Sequence, residues 1–96
     1  MEFDELIAAL TALEGRTVRL QLGTPGNETV ALETTGPLHA EDSGDGWAVF
    51  TLADSSVRLN LSGSEFTEAE SSLDGSGSLR FLSSGVEFYV VPAARR

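Results

Sequence analysis

Residues 46–61 read GWAVFTLADSSVRLNL, two runs of strand-forming residues joined by Ala53-Asp54-Ser55-Ser56. In Trp47–Leu52 both alternate sets are apolar, with Trp47 and Val49 on one side and Ala48, Phe50 and Leu52 on the other. A strand that is apolar on both sides is usually covered on both, so this stretch is expected in the middle of a sheet.

Working outward, Asp42-Ser43-Gly44-Asp45-Gly46 supplies the turn that leads into it. Leu38-His39-Ala40-Glu41 before that turn follows Gly36-Pro37, and reads as the far half of one long strand bent at the glycine. Val30, Leu32 and Thr34 alternate with Ala31 and Glu33, and Val18, Leu20 and Leu22 alternate with Thr17, Arg19 and Gln21. The turn formers Gly23–Asn27 make these two runs a hairpin. Nearest the N-terminus, Phe3, Leu6, Ile7, Leu10 and Leu13 fall at helical spacing, with Asp4 as the expected N-cap and Gly15 as the left-handed cap. The apolar stripe of this helix is expected to plug an open end or face of the sheet.

On the C-terminal side, Glu65–Ser71 carries Phe66 and Ala69 amid Glu65, Glu68 and Glu70, the pattern of an edge strand whose charges discourage pairing between molecules. Leu73 and the turn Asp74–Gly77 follow. Leu79–Leu82 and Val86–Val91 then flank Ser83-Ser84-Gly85 and form the clearest hairpin of the chain. The expected fold is mainly β: a small antiparallel β-barrel or sandwich of five to seven strands with one N-terminal α-helix. It forms a single domain over 1–96, with the helix at 3–14, the barrel or sandwich at 17–91 and a frayed tail at 92–96.

The 96 residues suffice for one core and contain no Cys, which excludes disulfides, thiolate catalysis and Cys-ligated metals. Fifteen acidic residues stand against six arginines, with no Lys, for a net charge of −9. Such a surface repels phosphate and argues against nucleic acid and anionic lipid; it suits solubility, a saline environment or a basic partner. There is no run of eighteen apolar residues, and the start Met-Glu-Phe-Asp-Glu is the reverse of a signal peptide, so a cytoplasmic protein without membrane contact is expected.

Chemistry-bearing residues are few. His39 is the single histidine, and strand alternation would set it beside Glu41, but no Gly-x-Ser-x-Gly elbow supplies a nucleophile. Glu41, Ser43, Asp45 and Gly46 match the opening of a calcium loop, which then fails at Leu52, where a bidentate glutamate belongs. His39, Glu41, Asp42 and Asp45 are thus at most a weak cation site. No cofactor, metal or catalytic residue is expected, and the chain is read as a non-enzymatic module that binds another protein or itself. Two surfaces are candidates: a face carrying Arg80, Leu82, Tyr89 and Val91, unless it packs beneath the helix, and an acidic face of Glu65, Glu68 and Glu70. A small His- or metal-dependent enzyme is the third reading.

A short helix followed by bent antiparallel strands resembles the Sm-like arrangement among the SH3-like small barrels. Residues 12–20, ALEGRTVRL, look like that family's helix exit into its first strand, and Gly36-Pro37-Leu38 stands where its second strand bends. The RNA-binding residues do not follow: Asp54 and Asn60 are six apart where the family has four, and the Arg-Gly motif is missing. The resemblance implies ring-shaped oligomers joined strand to strand and, as the alternative function, Sm-like nucleic-acid binding.

Overall fold

The computed structural model describes residues 1–25, 30–53, 56–72 and 76–93, with residues 30 and 31 described by their backbone only. Helix α1 (Phe3–Thr11) precedes strands β1 (Thr17–Gly23), β2 (Val30–Gly44), β3 (Trp47–Leu52), β4 (Val57–Ser62), β5 (Phe66–Ser71), β6 (Leu79–Ser83) and β7 (Val86–Pro92). Among the described residues these seven strands make one antiparallel sheet in the order β4-β3-β2-β1-β7-β6-β5. The fold is therefore mainly β with one N-terminal helix, as expected. The sheet is not closed: its two edges, β4 and β5, are neighbours in sequence but not in the ladder.

Every strand sends apolar side chains into one cluster, from Val18 and Leu20 through Leu38, Phe50, Leu52, Leu59 and Leu61 to Ala69, Phe81, Phe88 and Val90. Strands in a sheet lie about 4.8 Å apart, so seven flat strands cannot share one core; the sheet curls, giving an inner and an outer face. Phe81 and Phe88, directly opposite each other, stack with centroids 4.8 Å apart. Helix α1 lies on the inner side, with Leu6, Leu10 and Leu13 buried in the cluster and Phe3 edge-on to Phe66 at 5.6 Å. Each buried leucine contributes about 2 kcal/mol of transfer free energy. The N-cap is Glu2 rather than Asp4, and its N–H donates to Glu5 Oε1 at 2.9 Å. The helix ends at Thr11, short of residue 14, in tighter turns from Leu13 N to Leu10 O and from Glu14 N to Thr11 O.

The middle of the sheet is β1, not β3, which lies one strand in from the β4 edge. Burial on both faces of β3 is nonetheless real from Ala48 to Leu52, while Trp47 is 41% exposed. A doubly apolar run reports coverage, and here Val49 and Thr51 are covered on the outer side without being central. The single bent strand expected around Gly36 is present. Residues up to Pro37 pair with β1, and those from Leu38 on pair with β3. A Cβ at Gly36 would lie 2.6 Å from the Ala53 Cα, so only glycine lets the β3–β4 turn approach the bend. In the β6–β7 hairpin Ser84 and Gly85 both take positive φ, 54° and 73°, the two-residue turn that matches strand twist.

Strand β5 is an edge, as its glutamates indicate. The chain stays in the sheet through Pro92, and Ala93 N–H still donates to Thr17 O at 2.9 Å, so the tail begins later than residue 92. Gly26 and Asn27 of the first turn, Asp54 and Ser55, Leu73 to Gly75, and Ala94 to Arg96 lie outside the described residues.

Candidate functional site

Register across the sheet places five polar side chains in one row on the outer face. Glu70 on β5 is opposite Arg80 on β6, Arg80 opposite Tyr89 on β7, Tyr89 opposite Gln21 on β1, and Gln21 opposite Glu33 on β2. Alternation explains their direction, since Leu79, Phe81, Phe88, Val90 and Leu20 beside them are buried in the core. Gln21 Nε2 donates to Glu33 Oε2 at 2.9 Å. Leu82, half-buried, lies in the next row between Glu68 and Glu87, and Val91, also half-buried, is opposite Arg19.

Arg80 is the electrostatic centre of this face. Its Nε lies 3.4 Å from Glu87 Oε1, its Nη2 donates to Glu87 Oε2 at 3.4 Å, and its Nη1 is 3.7 Å from Glu68 and 3.6 Å from Glu70. The Tyr89 hydroxyl also donates to Glu87 Oε1. Glu87 is only 7% exposed although it belongs to the outer face, because Arg80 and Tyr89 close over it. The hydrogen bond to Glu87 raises the Arg80 pKa further above its ordinary value, against the opposing effect of burial. The same carboxylate, followed by burial, raises the Tyr89 phenol above its ordinary value, since ionising it would oppose two negative charges. The result is a permanently charged guanidinium and a protonated phenol fixed as a donor.

Tyr89 is 40% exposed, and with Val91 and Leu79 it walls a groove of about 250 Å³ rimmed by Glu70, Ser71, Ser72 and Ser78. The helix lies on the inner side of the sheet, so Arg80, Leu82, Tyr89 and Val91 are not packed beneath it. Glu68 and Glu70 join this face through Arg80, whereas Glu65 stands apart in the β4–β5 turn with its carboxylate 3.5 Å from Ser84 Oγ. Alternation alone showed which side chains share the outer side of a strand. The role of Glu87 and the neighbours Gln21 and Glu33 depend on register, which leaves no local mark in sequence.

The imidazole of His39 meets a carboxylate from outside its own strand. His39 Nδ1 lies 3.6 Å from Glu14 Oε2, and that oxygen also accepts the Ala40 N–H at 2.9 Å. Glu41 is the extra residue of a bulge, because Ala40 is opposite Phe50 and Asp42 opposite Val49; its Oε1 accepts from Thr51 Oγ1 at 2.6 Å. Thr51 is directly opposite His39, so Glu41 does share the side of His39, but its carboxylate is taken up by Thr51 and the one that meets the imidazole is that of Glu14. Asp42 Oδ1 accepts the Ser43 N–H, and Asp45 is exposed in the β2–β3 turn. Among the described residues no three His, Asp or Glu side chains converge as a metal site. A second cavity of about 270 Å³ separates Ile7 and Thr11 of α1 from Ala40–Ser43 and Phe50.

The described arginines are dispersed. Arg16 donates to Ala93 O and Arg58 to Asn60 on β4, and the outer-face arginines Arg19, Arg58 and Arg80 sit on three different strands, β1, β4 and β6, no two of them adjacent in the sheet. Among the described residues no helix is long and apolar enough to cross a membrane. Compared with protein-family models, with curated proteins and with solved structures, the chain matches none.

Proposed function

We propose that this chain is a non-catalytic interaction domain, working in the cytoplasm, that engages another protein through the outer face centred on Tyr89. The observation that carries the reading is the Arg80–Glu87–Tyr89 cluster: an exposed aromatic ring whose hydroxyl is tied to a buried carboxylate, on a sheet face that the helix leaves uncovered. A ring held this way loses little side-chain freedom on binding, and tyrosine with a neighbouring apolar wall is the usual anchor of a protein interface. The net charge of −9 and the carboxylates Glu33, Glu68 and Glu70 favour a basic partner over an acidic one.

The Sm-like alternative rests on order of elements, and the dispersed arginines give nucleic acid little to hold. Self-association through the same face belongs to the same class of function and is separated from it by mass. The test is capture of a partner by the wild-type domain and by Tyr89→Ala at equal folded fraction, with light scattering on both. Capture or assembly that is lost with the ring supports the reading; capture and mass unchanged in the variant sink it.

A further inference from the structure

Strand β5 is an edge of the sheet, and in an antiparallel ladder alternate residues of an edge strand direct N–H and C=O away from their only neighbour. The backbone bonds described outside the ladder involve the flanks of β5, Glu65 N to Ser62 O, Ser84 N to Glu65 O and Ser72 N to Ser78 O, and none involves the backbone of Glu68–Ser71 among the described residues. Phe3 covers the Phe66 end, which leaves Glu68–Ser71 as the open part. Over this part Glu68 and Glu70 stand on the outer face, with side chains 57% and 67% exposed, and Ala69 between them is buried on the inner face.

We propose that β5 receives an extended basic segment of a partner protein as an added strand, with arginines or lysines opposite Glu68 and Glu70 and a small apolar residue opposite Ala69. The proposal rests on the protein-binding reading and specifies how the partner is held. Residues directly opposite in a sheet point to the same face, so the period of two in Glu68-Ala69-Glu70 dictates a basic-apolar-basic period in the occupant. Charge selects that occupant. Arg80 already has Nε, Nη1 and Nη2 directed to Glu87, Glu68 and Glu70, so an incoming anion would have to displace a carboxylate, whereas three carboxylates around one guanidinium leave an excess negative charge for an incoming cation. A second copy of β5 would bring Glu68 and Glu70 against like charges. The other edge, β4, carries Arg58 and Asn60 outward and lacks this charge. Strand addition of this kind takes affinity from main-chain bonds and specificity from alternate side chains.

The experiment titrates the folded domain with a blocked Arg-Val-Arg-Val-Arg-Val peptide, its Gln-Val counterpart, and the Arg-Val peptide N-methylated at alternate amides, while following amide exchange. The expected result is binding at least tenfold tighter for the Arg-Val peptide than for either control. Slowed exchange of alternate amides within 68–71 should accompany it, and Glu68→Gln with Glu70→Gln should weaken binding. Equal affinity for the N-methylated peptide, protection at β4 instead of β5, or a self-association that closes β5 to the peptide would each overturn strand addition. Failure of the underlying reading looks different: there, Tyr89→Ala leaves partner capture untouched. A domain that loses its partner with Tyr89→Ala yet shows no protection at β5 keeps the protein-binding reading and loses this one.

Discussion

The Tyr89 hydroxyl donates to the carboxylate of Glu87, two residues back on the same strand and the same outer face, while Arg80 closes over that carboxylate from the neighbouring strand. The three side chains form one unit, and its parts can be removed separately.

Tyr89→Phe keeps the ring and deletes the donor. Because the acceptor is an almost buried carboxylate, the variant is expected to lose about 1.5–3 kcal/mol of stability, read from the urea midpoint at constant slope. Partner capture should survive better than in Tyr89→Ala, which removes the ring as well.

Arg80→Met removes the cation that faces the Glu87 carboxylate. A loss of about 1–3 kcal/mol is expected, since the guanidinium is partly exposed and the Tyr89 hydroxyl still donates to the carboxylate. Adding Glu87→Gln should recover a large part of it. A double-mutant cycle with no coupling between the two positions would show that the pair does not act as described.

Tyr89 is the single tyrosine of the chain, so tyrosinate absorbance reports it alone. Its phenol is raised above the ordinary 10.0, chiefly by the hydrogen bond to Glu87. A raised folded value means that the unfolded chain ionises first. The stability contributed by the bond is whole below pH about 10 and is lost as pH rises from there through the folded value. Alkaline titration should give a higher midpoint in buffer than in urea; equal midpoints would contradict the hydrogen bond.

Gly36→Ala drives a methyl into Ala53, whose Cα lies 2.6 Å from the position of the new Cβ. A loss of about 1–3 kcal/mol is expected from the forced shift of the β3–β4 turn. Thermal melting checks it, with Gly63→Ala as the comparison, since the nearest atom there is 3.5 Å away.

With a net charge of −9, the folded chain repels itself, and salt should stabilise it. The screening length falls from about 10 Å at 0.1 M to about 3 Å at 1 M. The melting temperature is therefore expected to rise over that range, and a fall would mean that attractive pairs such as Arg80–Glu87 outweigh the repulsion.

Local pattern determined the elements. Period 3.6 marked the helix, period two marked the strands, glutamates marked β5 as an edge, Gly36-Pro37 marked the bend of β2, and Ser84-Gly85 marked the last hairpin. These depend on neighbours within a few residues, where alternation and turn chemistry act directly. Alternation likewise gathered Arg80, Leu82, Tyr89 and Val91 on one side. The tertiary structure decided what lies across from each strand. Val18–Gly23 pairs with residues 87–92, nearly seventy positions away, and this puts β1 rather than β3 at the centre. The same pairing extends the Arg80–Tyr89 row to Gln21 and Glu33 and leaves β4 and β5 as open edges. Glu14, from the turn after the helix, meets the imidazole of His39, while Glu41, the extra residue of a bulge, bonds Thr51. Long-range pairing and bulges are settled by the packing of a shared core, so no short window of sequence carries them.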